Sequence, residues 1–214
     1  MGFDEWLTDP ETVLPRARRV MPTIDLDPAS NLVAQQYVQA QRFAVAPDYM
    51  GPLPANCTRN GLAIEWRANN IWLNPPYSAG LIDAFTAKLL AEWRLGRISQ
   101  ALYLVNSSTD AGWFHDALAE CNAMLLWRGR IKYWKIFNEQ AHKVWEGEKS
   151  KADRVLNPEL KPKIGNSPMY QNALFYFGYN LDTFLAAFGD CGTVVKAVST
   201  SVKARQSTIF DIAA

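Results

Sequence analysis

Apolar positions along the chain repeat with two different periods, and the alternation between them outlines a fold. In 81–96 the apolar residues Leu81, Ile82, Phe85, Leu89, Leu90 and Trp93 recur at helical spacing, and Gly96 suits the turn that ends the helix. Residues 101–106, ALYLVN, are apolar without interruption, as in a strand covered on both faces. The same reasoning predicts helices over 10–21 behind Pro10, over 108–120 behind a Ser-Thr-Asp start, and over 181–189. Short strands are expected in 23–30, where TIDLDPAS runs into an acidic turn, and at 71–74, 123–127, 172–178 and 193–198. Residues 31–65, with turn signals at APDYMGPLP and TRNG, read as irregular. Strands alternating with helices imply an α/β protein with a mostly parallel sheet and helices on both faces.

Composition adds bounds to this outline. The chain has 214 residues, 49% of them hydrophobic, enough for one core, so the expected organisation is a single domain over 1–200 and a loosely ordered tail over 201–214. No apolar stretch approaches the ~18–20 residues that span a bilayer, so no membrane partner is expected. The opening MGFDEWLTDPE is acidic and polar, unlike a secretory signal. Cys57, Cys121 and Cys191 are widely spaced and odd in number, which suits free thiols in a reducing cytoplasm. His115 and His142 have no neighbouring cysteines, so no metal is expected. Neither a phosphate-binding GxxxxGK[ST] nor a dinucleotide GxGxxG occurs.

The formal net charge of +1 is unevenly spread. Residues 128–163 hold ten Lys/Arg against five Asp/Glu, a local charge of +5, which leaves −4 for the rest of the chain. The same stretch carries Tyr133, Trp134 and Trp145, with Trp127 just before it. Basic residues interleaved with aromatics fit a polyanion-binding arm, and 128–170 is read as a basic, aromatic insertion in the domain. The plain alternative is a charged, solvated insertion.

IWLNPPYS (71–78) raises a chemical question, because two prolines close a predicted strand. Proline cannot donate to a sheet ladder, so Pro75 ends the strand. In an open α/β sheet, ligands bind beyond the carboxyl ends of the strands, which is where Asn74 falls. The Pro75–Pro76 unit is stiff and holds the Asn74 side chain and the Asn74 and Pro75 carbonyls in a fixed array of acceptors, with the flat ring of Tyr77 beside them. Such an array suits a planar group bearing an NH₂. Accepting both N–H protons draws the amine towards tetrahedral geometry and aims its lone pair. A strand-end turn with a buried tyrosine is the simpler alternative.

NPPY after a strand resembles the catalytic motif of amino-group methyltransferases that use S-adenosylmethionine. The wider pattern is more specific. DEWLTDPETVLPRARRVM, IDLDPAS, NGLAIEW, IWLNPPYS, LVNSSTDAGWFH and RGRIKYW occur in the same order as in the phage DNA N-6-adenine methyltransferase (phage Dam-type) family, over roughly residues 4–135. NSPMYQNALFYFG continues the likeness more faintly. The resemblance implies a Rossmann-like fold dependent on S-adenosylmethionine, double-stranded DNA as partner, and the cytoplasm of a bacterial or phage-infected cell.

It also implies roles. Asn74, Pro75, Pro76 and Tyr77 would be the catalytic residues. Asp25 or Asp27, with Pro28, Ala29 and Ser30, would meet the cofactor at a strand end, where a carboxylate suits its cationic groups and ribose hydroxyls. Alternation puts both aspartates on one face, and either could instead cap a turn. EWLTDP resembles a cofactor-lining EW[YF]TP, with Leu7 replacing the aromatic and Asp9 inserted; Trp6 and Thr8 are its candidate contacts, and core packing is the alternative for Trp6. Asn60, Gly61 and Leu62 would touch the cofactor's adenine or simply form a turn. Asn106, Ser107, Ser108, Thr109 and Asp110 would reach the same sheet edge as NPPY, with Ser108 or Thr109 capping a helix. Arg128, Arg130 and Lys132 are candidate phosphate contacts. The expected activity is transfer of a methyl group to N6 of adenine on a base flipped out of duplex DNA. RNA adenine, a protein glutamine, or a silent DNA- or cofactor-binding module are the alternatives.

Overall fold

The structure, a computed structural model, describes residues 6–78, 80–136, 162–164 and 170–197. The strands are β1 (Trp6–Leu7), β2 (Leu26–Asp27), β3 (Arg42–Val45), β4 (Cys57–Arg59), β5 (Ala68–Leu73), β6 (Ile98–Asn106), β7 (Ala123–Trp127), β8 (Trp134–Ile136), β9 (Pro162–Ile164), β10 (Asn172–Phe177) and β11 (Gly192–Val195). The helices are α1 (Val13–Val20), α2 (Gln35–Val38), α3 (Leu81–Arg94), α4 (Gly112–Glu120) and α5 (Leu181–Phe188). The main sheet has the order β11-β7-β10-β6-β5-β2-β3-β4, and a small second sheet has the order β1-β8-β9.

In the main sheet, parallel pairing joins β4, β3, β2, β5 and β6. β10 runs against both β6 and β7, and β11 runs against β7. The result is the expected Rossmann-like, mostly parallel α/β arrangement, with β10 and β11 reversed. Alternate residues of the central strands feed two cores. Leu102, Leu104, Leu174 and Tyr176 pack with α1 and α5 through Leu14, Ala17, Phe184 and Phe188. Tyr103, Val105, Phe175 and Phe177 pack with α3 and α4 through Phe85, Leu89, Phe114 and Ala117. Helices therefore cover both faces, which is why β6 and β10 are apolar at every position from 101 to 105 and from 173 to 177.

α3 ends where expected: Gly96 follows it with φ +66°, a left-handed turn that favours glycine. Three expectations are corrected. Residues 31–65 are not irregular, because they hold α2, β3 and β4. These elements are four, four and three residues long, too short to show a period. The helix expected from 108 begins at Gly112, with Ala111 at its N-cap and no side-chain cap. The Ser-Thr-Asp start is a turn instead, closed by the Ala111 N–H on the Ser108 carbonyl at 3.0 Å. β5 begins at Ala68, before the expected 71, and ends before Asn74. The tail and most of the basic insertion lie outside the described residues.

Candidate active site

The order of the parallel strands reverses at β2, whose neighbours are β3 on one side and β5 on the other. A crevice opens at such a point beyond the carboxyl ends of the strands. Here it is a cleft of about 940 Å³ lined by the segments that follow β2, β3, β4 and β5. Among the predicted residues, Thr8, Asp27, Pro28, Ala29, Ser30, Asn60, Gly61 and Leu62 line it, together with Asn74, Pro75, Pro76 and Tyr77.

Asp27 is the last residue of β2 and is 3% exposed. Its carboxylate accepts from the Ala29 N–H at 3.3 Å and from Gln35 Nε2 at 2.8 Å. Burial pushes its carboxyl up to about 7, against the opposing pull of the hydrogen bonds from Ser30, Ala29 and Gln35. Gln35 also donates to Ser30 Oγ at 2.7 Å and accepts from the Ala40 N–H, so one side chain ties α2 to the end of β2. No pattern in the sequence points to Gln35.

Asp25 is not brought to the cleft. Its Oδ2 accepts from the Asn69 and Asn70 N–H groups at 2.9 and 3.1 Å, pinning the start of β5. β2 is only two residues long and begins after Asp25, and of the two aspartates Asp27 alone lines the cleft. Trp6 belongs to β1 by its backbone, paired with Lys135. Its side chain lies outside the described residues. Thr8 reaches the cleft, and the inserted Asp9 is buried and turns the chain into α1 by accepting from the Glu11 N–H at 2.8 Å.

The Asn60-Gly61-Leu62 turn is a built wall. Asn60 has φ +58°, and a Cβ on Gly61 would stand 1.7 Å from the Pro28 carbonyl oxygen. Only glycine lets the two loops meet. Trp66 Nε1 donates to the Gly61 carbonyl at 2.7 Å and holds the turn from below.

Asn74 is anchored at both ends of its amide. Nδ2 donates to Thr8 Oγ1 at 3.0 Å, and Oδ1 accepts from the Tyr77 hydroxyl at 2.8 Å. An amide oxygen has two lone pairs, so a second acceptor position remains. Burial, and then the neighbouring Tyr133, push the Tyr77 phenol well above its ordinary value, so it stays protonated and able to donate. The Tyr133 hydroxyl lies 3.2 Å from it. Tyr133, one of the aromatics of the basic segment, is buried, with its hydroxyl beside the motif. Tyr77 also borders a second, more polar cleft of about 370 Å³, walled by Asn106, Ser108, Asp110 and Trp113 among others. Ser107 and Thr109 do not line it.

Arg128, Arg130 and Lys132 are exposed on the stretch that leaves β7. Cys57, Cys121 and Cys191 are free thiols. Among the described residues, no group of three or more His, Cys, Asp and Glu could hold a metal ion, and no helix is long and apolar enough to cross a membrane.

A family model described as DNA N-6-adenine-methyltransferase (Dam) matches residues 44–167, more than half of the chain. The matched stretch begins in β3 and contains NPPY. No curated protein matches the chain.

Proposed function

The chain belongs to the DNA N-6-adenine-methyltransferase (Dam) family, and from that premise we propose that it transfers a methyl group from S-adenosylmethionine to N6 of adenine in double-stranded DNA. The observation that carries the reading is the meeting of Asp27 and Asn74 in one cleft at the switch point of the sheet. S-adenosylmethionine suits the cleft. The volume of about 940 Å³ takes a ligand of its size, the Asp27 carboxyl suits its ribose hydroxyls and cationic groups, and Gly61 leaves the wall free of a side chain. Asp27, Pro28, Ala29 and Ser30 would hold it on one side and Asn60, Gly61 and Leu62 on the other. When bound, it supplies a methyl group activated by a positive sulfonium.

The chain's own work is then to present an amine. The free lone pair of Asn74 Oδ1 and the Pro75 carbonyl accept the two N–H protons and orient the nitrogen. Pro75 and Pro76 fix both acceptors, so orientation costs little at the moment of reaction. Positioning of this kind supplies ~7–11 kcal/mol in favourable cases. Neither acceptor is a base, and the protonated Tyr77 is none either, so the surplus proton leaves to water. An adenine amine in a duplex is paired, hence the base must be turned out of the stack. The second cleft, between Tyr77 and Trp113, offers room beside the motif, with Asn106, Ser108 and Asp110 as polar partners.

Incubation with methyl-labelled S-adenosylmethionine and duplex DNA, RNA or protein tests the reading. The expected result is label in duplex DNA alone. Label confined to RNA or protein, or none in any of them, overturns it.

A further inference from the structure

The chemistry proposed above uses Asn74 and Tyr77 and leaves out what stands behind them. Asn172, 1% exposed at the start of β10, donates from Nδ2 to the Tyr133 hydroxyl at 2.9 Å and to the Val105 carbonyl at 3.3 Å. A carbonyl only accepts, so the nitrogen must face it, and the amide is fixed. A chain of hydrogen bonds continues from it. Asn74 Oδ1 only accepts, so the Tyr77 proton lies on it at 2.8 Å, and the Tyr77 oxygen is open to the Tyr133 hydroxyl at 3.2 Å. Successive bonds of one direction polarise one another. At the far end, Asn74 Nδ2 meets Thr8.

Two of the members, Thr8 and Tyr133, come from the small sheet. β1 pairs with β8 as Trp6 with Lys135 and Leu7 with Trp134, so Thr8 and Tyr133 are the next residues along that ladder. Two strands of one small sheet thus deliver the side chains that touch the Asn74 amide and the Tyr77 hydroxyl.

We propose that Tyr133, aligned by Asn172, is a positioning residue for methyl transfer, whose hydroxyl directs the Tyr77 proton to Asn74 and so keeps the Asn74 amide oxygen turned to the substrate amine. The proposal rests on the methyltransferase reading given above. A purely structural pair of buried hydroxyls would affect stability without affecting turnover.

Tyr133→Phe keeps the ring and its packing and removes one hydroxyl. On duplex DNA with S-adenosylmethionine the expected result is a fall in kcat of about fivefold, the size of one net hydrogen bond, with KM for both substrates unchanged. In a Tyr77→Phe background the same substitution should cost nothing further, because the acceptor of its hydrogen bond is gone. An unchanged kcat, or a fall that repeats in full in that background, overturns the proposal. Urea midpoints of the same four proteins, measured without substrate, read the pairing itself. The two single shifts are expected to exceed the shift of the double variant when summed. Full additivity there overturns the proposal as well. A wild-type protein that labels no DNA fails the methyltransferase reading instead, and the urea cycle still decides on the hydroxyl pair.

Discussion

At the scale of single residues, the buried carboxyl of Asp27 gives the cleft a pH-sensitive group. An unfolded aspartate ionises near 3.8, whereas in the fold the group holds its proton up to about 7. Between those limits the native state binds more protons than the unfolded one, so stability falls as pH rises through the window and levels off above it. Urea unfolding of the cofactor-free protein should therefore show lower stability at pH 8 than at pH 5. Asp27→Asn should abolish most of that difference, raising stability by a few kcal/mol at pH 8 and by less than half as much at pH 5. The same variant should lose affinity for S-adenosylmethionine, by roughly 1.5–3 kcal/mol for a charge-assisted hydrogen bond. Equal pH dependence in the two proteins would mean that Asp27 is ionised throughout. Which of Asp25 and Asp27 reaches the cleft was beyond the sequence, since IDLD offers both and only the fold brings Asp27 to it.

At the scale of elements, the cleft depends on two loops in contact. Gly61→Ala places a methyl group on the Pro28 carbonyl, and the loops must part. A destabilisation of about 1–3 kcal/mol is expected, as for overpacking, with loss of cofactor binding. Thermal unfolding and calorimetry check it, and a variant with unchanged melting and affinity would show that the wall yields freely. The long elements were legible in the sequence. α3 shows a full helical period, and β6 an unbroken apolar run, because each is long enough and sits against a core. α2, β3 and β4 were not legible, since a single helical turn or three residues of strand carry no period. NPPY was legible as a strand-end array because proline rules are local. The burial of Tyr133 was not, because its partners Tyr77 and Asn172 are brought to it by the tertiary fold alone.

At the scale of the whole molecule, a near-neutral chain with a local excess of positive charge carries a cleft at the switch point of its sheet and, we propose, a surface for DNA. Arg128, Arg130 and Lys132 lie in the described part of that segment. Replacing all three by Gln should weaken binding to target and non-target duplexes alike and flatten the salt dependence by about one unit per lost phosphate contact. Fluorescence anisotropy at several salt concentrations checks this, and wild-type affinity and slope would remove these residues from the interface. We propose that Asn74 presents the adenine amine and does not hold the cofactor. The most direct measurement compares wild type with Asn74→Ala on one defined duplex, quantifying N6-methyladenine in the digested DNA beside S-adenosylmethionine affinity by calorimetry. The expected result is N6-methyladenine from the wild type, a fall of well over tenfold in the variant, above ~1.4 kcal/mol of transition-state stabilisation, and an unchanged cofactor affinity. A folded variant that keeps more than about a tenth of the activity, ~1.4 kcal/mol or less of lost stabilisation, or one that loses activity only because it no longer binds the cofactor, would contradict it.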